Sequence, residues 1–99
     1  MNEMEKLIKA LEVLGIPHEV TNQQWTGETS QIWYPNTKKP KMDVICHEYS
    51  YGGRDGLLEI MGLLTEEEAE YDSVVGYLTA ENVLARILKD RAENEEKGE

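Results

Sequence analysis

Two one-sided helical segments, one at each end, constrain what this chain can fold into more than any other feature. Met4, Leu7, Ile8, Leu11 and Leu14 recur at spacings of three and four, so residues 2–14 read as a helix with one apolar stripe. Asn2 and Glu5 have capping-box spacing, with Asn in place of the usual Ser or Thr. Gly15 then suits a left-handed terminating position, Ile16 can pack back on the last turn, and Pro17 forbids continuation. Towards the other end, Thr79 caps TAENVLARILKDRAE, where Val83, Leu84, Ile87 and Leu88 form the stripe. Lys89 and Arg91 near its end complement the helix dipole. Each helix has a single face to bury, and the segment between them must supply the surface.

That segment reads as strands. HEVTNQ (18–23) alternates weakly, TGETS (26–30) is a turn-rich break, and QIWY (31–34) is rich in β-formers and ends at Pro35. NTKKPK (36–41) is a loop. MDVICHEYS (42–50) predicts the clearest strand, with Met42, Val44 and Cys46 on one face and Asp43, Ile45, His47 and Tyr49 on the other. LLEIMGLL (57–64) reads as a strand after the turn GGRDG, although Leu57, Ile60, Met61 and Leu64 also fit a helical stripe. TEEEAEYD (65–72) predicts one helical turn capped by Thr65 and Glu68, and SVVGYL (73–78) a short extended segment. The expected fold is α+β: an antiparallel sheet of about four strands, with a short fifth in prospect, and both terminal helices on one face. Residues 1–92 form the single domain, and 93–99 an acidic tail that frays.

Charge narrows the partners. The net charge is −10, from 20 acidic and 10 basic residues, and residues 59–99 carry −8 of it. Such a surface repels nucleic acid and anionic lipid and favours a protein partner with a basic surface. Its ordinary role is solubility. A single cysteine, Cys46, excludes an intrachain disulfide, and the absence of a signal peptide or long apolar run predicts a cytoplasmic protein.

The reactive side chains do not assemble into a known catalytic pattern. His47 is a candidate general base, but on a strand its neighbours Cys46 and Glu48 point to the opposite face. SYGGRDG offers backbone amides and Arg54 to an anion, yet lacks the strand–loop–helix context of a phosphate loop, and a mobile hairpin tip is its ordinary reading. No metal-ligand spacing is present, so no metal and no cofactor is expected. Lys38, Lys39 and Lys41 are read as a device that keeps a sheet edge soluble. The aromatic residues carry more information. Phe is absent, and two Trp and five Tyr supply every ring. Trp33, Tyr34, His47, Tyr49 and Tyr51 are therefore candidates for an open, partner-binding sheet face, with Arg54 beside it. Glu66, Glu67, Glu68, Glu70 and Asp72 are the candidates for an acidic one.

DVICHEYSYGGRDGLLEIMG (43–62) and SVVGYLTAENVLARI (73–87) resemble small uncharacterised proteins of phages, prophages and other mobile elements of Gram-positive gut bacteria. The matching positions are Ser50, Tyr51, Gly52, Gly56, Leu57, Leu58 and Glu59, then Gly76 to Glu81. The resemblance implies a setting and no particular activity. With the acidic, Trp/Tyr-bearing surface, it leads to the expectation of a non-enzymatic accessory protein that binds another protein. A sharper form is an inhibitor of a host defence nuclease that mimics DNA with carboxylates. The alternative is a small-molecule module that takes an anionic metabolite on the open sheet face and the glycine-rich loop. A homodimer through an edge strand or the open face stays open.

Overall fold

A computed structural model describes residues 1–23 and 29–96 and shows the expected α+β class, with five strands where about four were predicted. The elements run α1 (Glu3–Leu14), β1 (Glu19–Gln23), β2 (Thr29–Tyr34), β3 (Met42–Ile45), β4 (Leu58–Gly62), α2 (Glu66–Tyr71), β5 (Val74–Leu78) and α3 (Ala80–Glu96). The sheet is an antiparallel meander in the order β1-β2-β3-β4-β5. Residues 24–28, with Trp25 and most of the turn-rich break, lie outside the described residues, and β2 already begins at Thr29.

Both helix starts follow their sequence signals. Asn2 Oδ1 accepts the amide of Glu5 at 2.7 Å, and Gly15 closes α1 at φ 67°. Thr79 Oγ1 accepts the amide of Asn82 at 3.2 Å while Asn82 Oδ1 accepts that of Thr79 at 3.0 Å, so two otherwise unpaired donors are satisfied at once. The helices also meet through Glu3, whose carboxylate accepts the Ala80 amide at 2.8 Å at the positive end of α3. α3 continues to Glu96, so the first part of the segment expected to fray is helical.

Register sorts the two sheet faces. Ile32, Val44, Ile60 and Val75 oppose one another across β2 to β5. With Tyr34, Met42 and Leu58 they turn towards Met4, Leu7 and Leu11 of α1 and Val83 and Ile87 of α3. Trp33, Asp43, Met61 and Val74 form the parallel row on the opposite face. The two terminal helices, α1 and α3, therefore cover the same side of the sheet.

Two expectations change. The strand predicted over 42–50 stops at Ile45, which takes His47 and Tyr49 off the sheet. Tyr34 belongs to the buried face, 2% exposed, and is not part of an open one. Adjacent residues alternate, and pairing of Tyr34 with core-facing Met42 decides which of Trp33 and Tyr34 goes inwards. The 57–64 segment is a strand, Leu58–Gly62, as expected.

Candidate functional site

The residues that raise a functional question converge where β3, β4 and β5 end together. Ser50 stops β3. Its buried hydroxyl accepts the His47 amide at 2.9 Å and donates to the His47 carbonyl at 2.8 Å, folding the chain back on itself. A succession of tight turns follows: Gly53 donates to Ser50, Asp55 to Gly52, Gly56 to Gly53 and Leu57 to Gly52, around a 3-10 turn at Gly53–Asp55. Gly53 has no alternative here, since a Cβ would stand 1.8 Å from the His47 carbonyl oxygen. The glycine-rich stretch is thus a packed knot, and most of its amides are engaged internally. An anion nest needs those amides free.

β5 meets this knot through a bulge. Leu78 opposes Leu58 and Val75 opposes Ile60, so Gly76 and Tyr77 together face Glu59. Tyr77 absorbs the extra residue in the left-handed region at φ 58°, an uncommon conformation for a bulky side chain. Its amide donates to the Tyr51 carbonyl at 3.1 Å. The two chains interlock at glycines. A Cβ on Gly76 would lie 2.1 Å from the Tyr51 Cβ, and one on Gly52 would lie 2.8 Å from the Tyr77 Cα. Beneath them, Glu59, 8% exposed, accepts the Tyr51 amide at 3.5 Å. Burial pushes its carboxyl up, against the opposing pull of the Tyr51 amide and of His47.

The result is a tyrosine corner. Tyr49, Tyr51 and Tyr77 are 82%, 52% and 62% exposed, and the interlock holds the backbone of the last two. With Glu48, Arg54 and Asp55 they surround an open depression of about 460 Å³. Tyr49 and Tyr51 were candidates from sequence, as was Arg54. Tyr77 was missed, although the mirrored pairs Tyr51-Gly52 and Gly76-Tyr77 are visible in the chain.

The other candidates are placed apart. Trp33 lies on the face away from α1 and α3, its indole donating to Thr21 Oγ1 at 2.9 Å. Tyr34 is structural: its hydroxyl donates to Asp90 at 2.8 Å, and burial followed by that carboxylate pushes the phenol up to about 12. His47 Nδ1 accepts the Tyr49 amide at 3.1 Å, and no carboxylate is hydrogen-bonded to the ring among the described residues. Burial pushes the Cys46 thiol up, away from a reactive thiolate. Glu66, Glu67, Glu70 and Asp72 are exposed on and just beyond α2. Glu68 is not available with them. It accepts both guanidinium nitrogens of Arg86, at 2.8 and 2.7 Å, and completes the capping box with Thr65; these contacts hold its carboxyl down to about 2.

One feature of the face that carries Trp33 was not foreseen. Asp43, half-buried on β3, accepts Gln31 Nε2 at 2.7 Å, and burial pushes its carboxyl up. No group of three metal-ligating side chains occurs among the described residues, and none of their helices is long and apolar enough to cross a membrane. Comparison with family models, with curated proteins and with solved structures finds no match for this chain.

Proposed function

We propose that this chain is a non-enzymatic accessory protein of a phage or mobile element, acting in the bacterial cytoplasm by binding a protein with a basic surface. One observation carries the reading: Tyr51 and Tyr77 stand exposed on backbone that the two glycines lock together. A tyrosine on fixed backbone has only two side-chain torsions to lose on binding, and tyrosine is frequent among the residues that dominate interfaces. The positions that resemble mobile-element proteins, Ser50 to Gly52, Gly56 to Glu59 and Gly76 to Glu81, flank the turn at Gly53–Asp55 and include the bulge. Net charge of −10 supports a basic partner. In the sharper form of the proposal the partner is a DNA-binding nuclease, and Glu66, Glu67, Glu70 and Asp72 stand in for phosphates.

Affinity capture from host lysate, followed by mass spectrometry, tests this. The expected result is a basic protein retained by the wild type, lost to Tyr51→Ala and Tyr77→Ala, and released by added salt, since exposed charges are screened beyond about 8 Å at physiological ionic strength. Retention unchanged in both variants would remove the corner as the binding site. For the nuclease form, cleavage by the captured protein must fall when the chain is added and recover with Glu66, Glu67, Glu70 and Asp72 neutralised.

A further inference from the structure

We infer that the tyrosine corner takes an arginine-bearing segment of its partner, an assignment that rests on the protein-binding reading and gives that site its ligand chemistry. Three exposed rings present π faces, which attract a cation. Two carboxylates, Glu48 and Asp55, line the same depression, and neither forms an ion pair among the described residues. An arginine guanidinium meets both features together, because it stacks flat on a ring and offers forked donors to a carboxylate. Lysine, a strongly hydrated point charge, does this less well. An anionic ligand finds the opposite: the knot's amides are largely engaged, and two carboxylates stand in the lining against one base. That base is Arg54, also exposed and outside any ion pair of the described residues, and it opposes an incoming cation.

Arg54 therefore gives the test its sign. The probes are blocked peptides alternating serine with arginine, with lysine or with glutamate, titrated into the full chain by calorimetry. The arginine peptide should bind more tightly than the lysine peptide, and the loss of each engaged ring should weaken it roughly two- to five-fold. Arg54→Ala should tighten it. Tyr51→Ala and Tyr77→Ala should weaken it, and the Phe variants, which keep the π face, should restore it. Tyr51→Ala retains the Cβ that packs on Gly76, and thermal melts of each variant report whether the fold is kept. The assignment is overturned if the arginine peptide does not bind, if the glutamate peptide binds as tightly, if Arg54→Ala weakens binding, or if both alanine variants leave it unchanged. Should it fail while capture of the native partner still requires Tyr51 and Tyr77, the protein-binding reading stands without it. Should capture ignore both tyrosines, that reading falls first.

Discussion

Gly76→Ala puts the interlock at the base of the tyrosine corner under direct strain. The added Cβ would sit 2.1 Å from the Tyr51 Cβ and 2.5 Å from the Tyr51 carbonyl oxygen. Carbon atoms in contact need about 3.5–4.0 Å, so one strand must retreat by roughly 1.5 Å. Tyr51 cannot swing clear, because the obstructing atoms are its own backbone and the carbon rooted on it. Retreat would break the 3.1 Å hydrogen bond from Tyr77 to Tyr51, worth about 1 kcal/mol, on top of about 1–3 kcal/mol for overpacking. The expected loss is roughly 2–4 kcal/mol, or a fall in Tm of about 10–25 °C for a domain of this size. Gly56→Ala is the comparison. Gly56 has φ 75° and nothing within 4 Å, so only the conformational cost of about 1–2 kcal/mol applies. Thermal and urea melts followed by circular dichroism measure both. A Gly76→Ala protein as stable as the wild type, or one less perturbed than Gly56→Ala, would refute the interlock.

Three further outcomes follow from the buried and paired groups. Tyr34→Phe should cost about 1.5–3 kcal/mol in urea melts, as expected for a lost bond to a charged acceptor; because the folded-state phenol is raised, wild-type stability should fall as pH rises from 10.0 through about 12, and this component should vanish in the variant. Glu68→Gln should weaken the anchoring of α2 to α3 by about 1–2 kcal/mol at neutral pH; the wild-type carboxyl is depressed, so its contribution is present above 4.5 and lost as pH falls towards about 2, giving an acid limb that the variant flattens. Asp43→Asn should leave Tm at neutral pH unchanged or higher, because burial raises this carboxyl and makes its charged form a growing cost as pH rises through its pKa; a clear loss of stability in the variant would contradict that sign.

The parts of the fold legible in the sequence are those set by local physics. The stripes and caps of α1 and α3 need only helical spacing and a few side-chain oxygens, and Asn2, Gly15 and Thr79 act where their chemistry places them. The capping box of α2 was equally local, but the pairing of Glu68 with Arg86 was not, since it joins residues 18 apart in the chain. The end of β3 escaped because alternation continues through residue 49, while the break depends on one serine hydroxyl binding both backbone groups of His47. Tyr34 escaped because alternation fixes that it opposes Trp33 but not which of them goes inwards. The candidate site was half visible: Tyr49, Tyr51 and Arg54 lie in one stretch, whereas Tyr77 joins them only once β4 and β5 have paired.

That pairing explains why the corner sits on a bulge. In an unbroken β5, Val75 on the core side would be followed by Tyr77 on the core side and Leu78 outside. The bulge shifts the phase by one residue, so Leu78 returns to oppose Leu58 and packs on the core. The same shift expels Tyr77, which remains 62% exposed beside Tyr51. Burying the leucine and presenting the tyrosine are two consequences of a single inserted residue. The left-handed Tyr77 and the buried Glu59 beneath Tyr51 are the local costs of this arrangement. Removing Gly76 altogether leaves Tyr77 alone opposite Glu59 and Leu78 still opposite Leu58, so straight pairing should return with both residues on their present sides while the Gly76–Tyr51 interlock is lost.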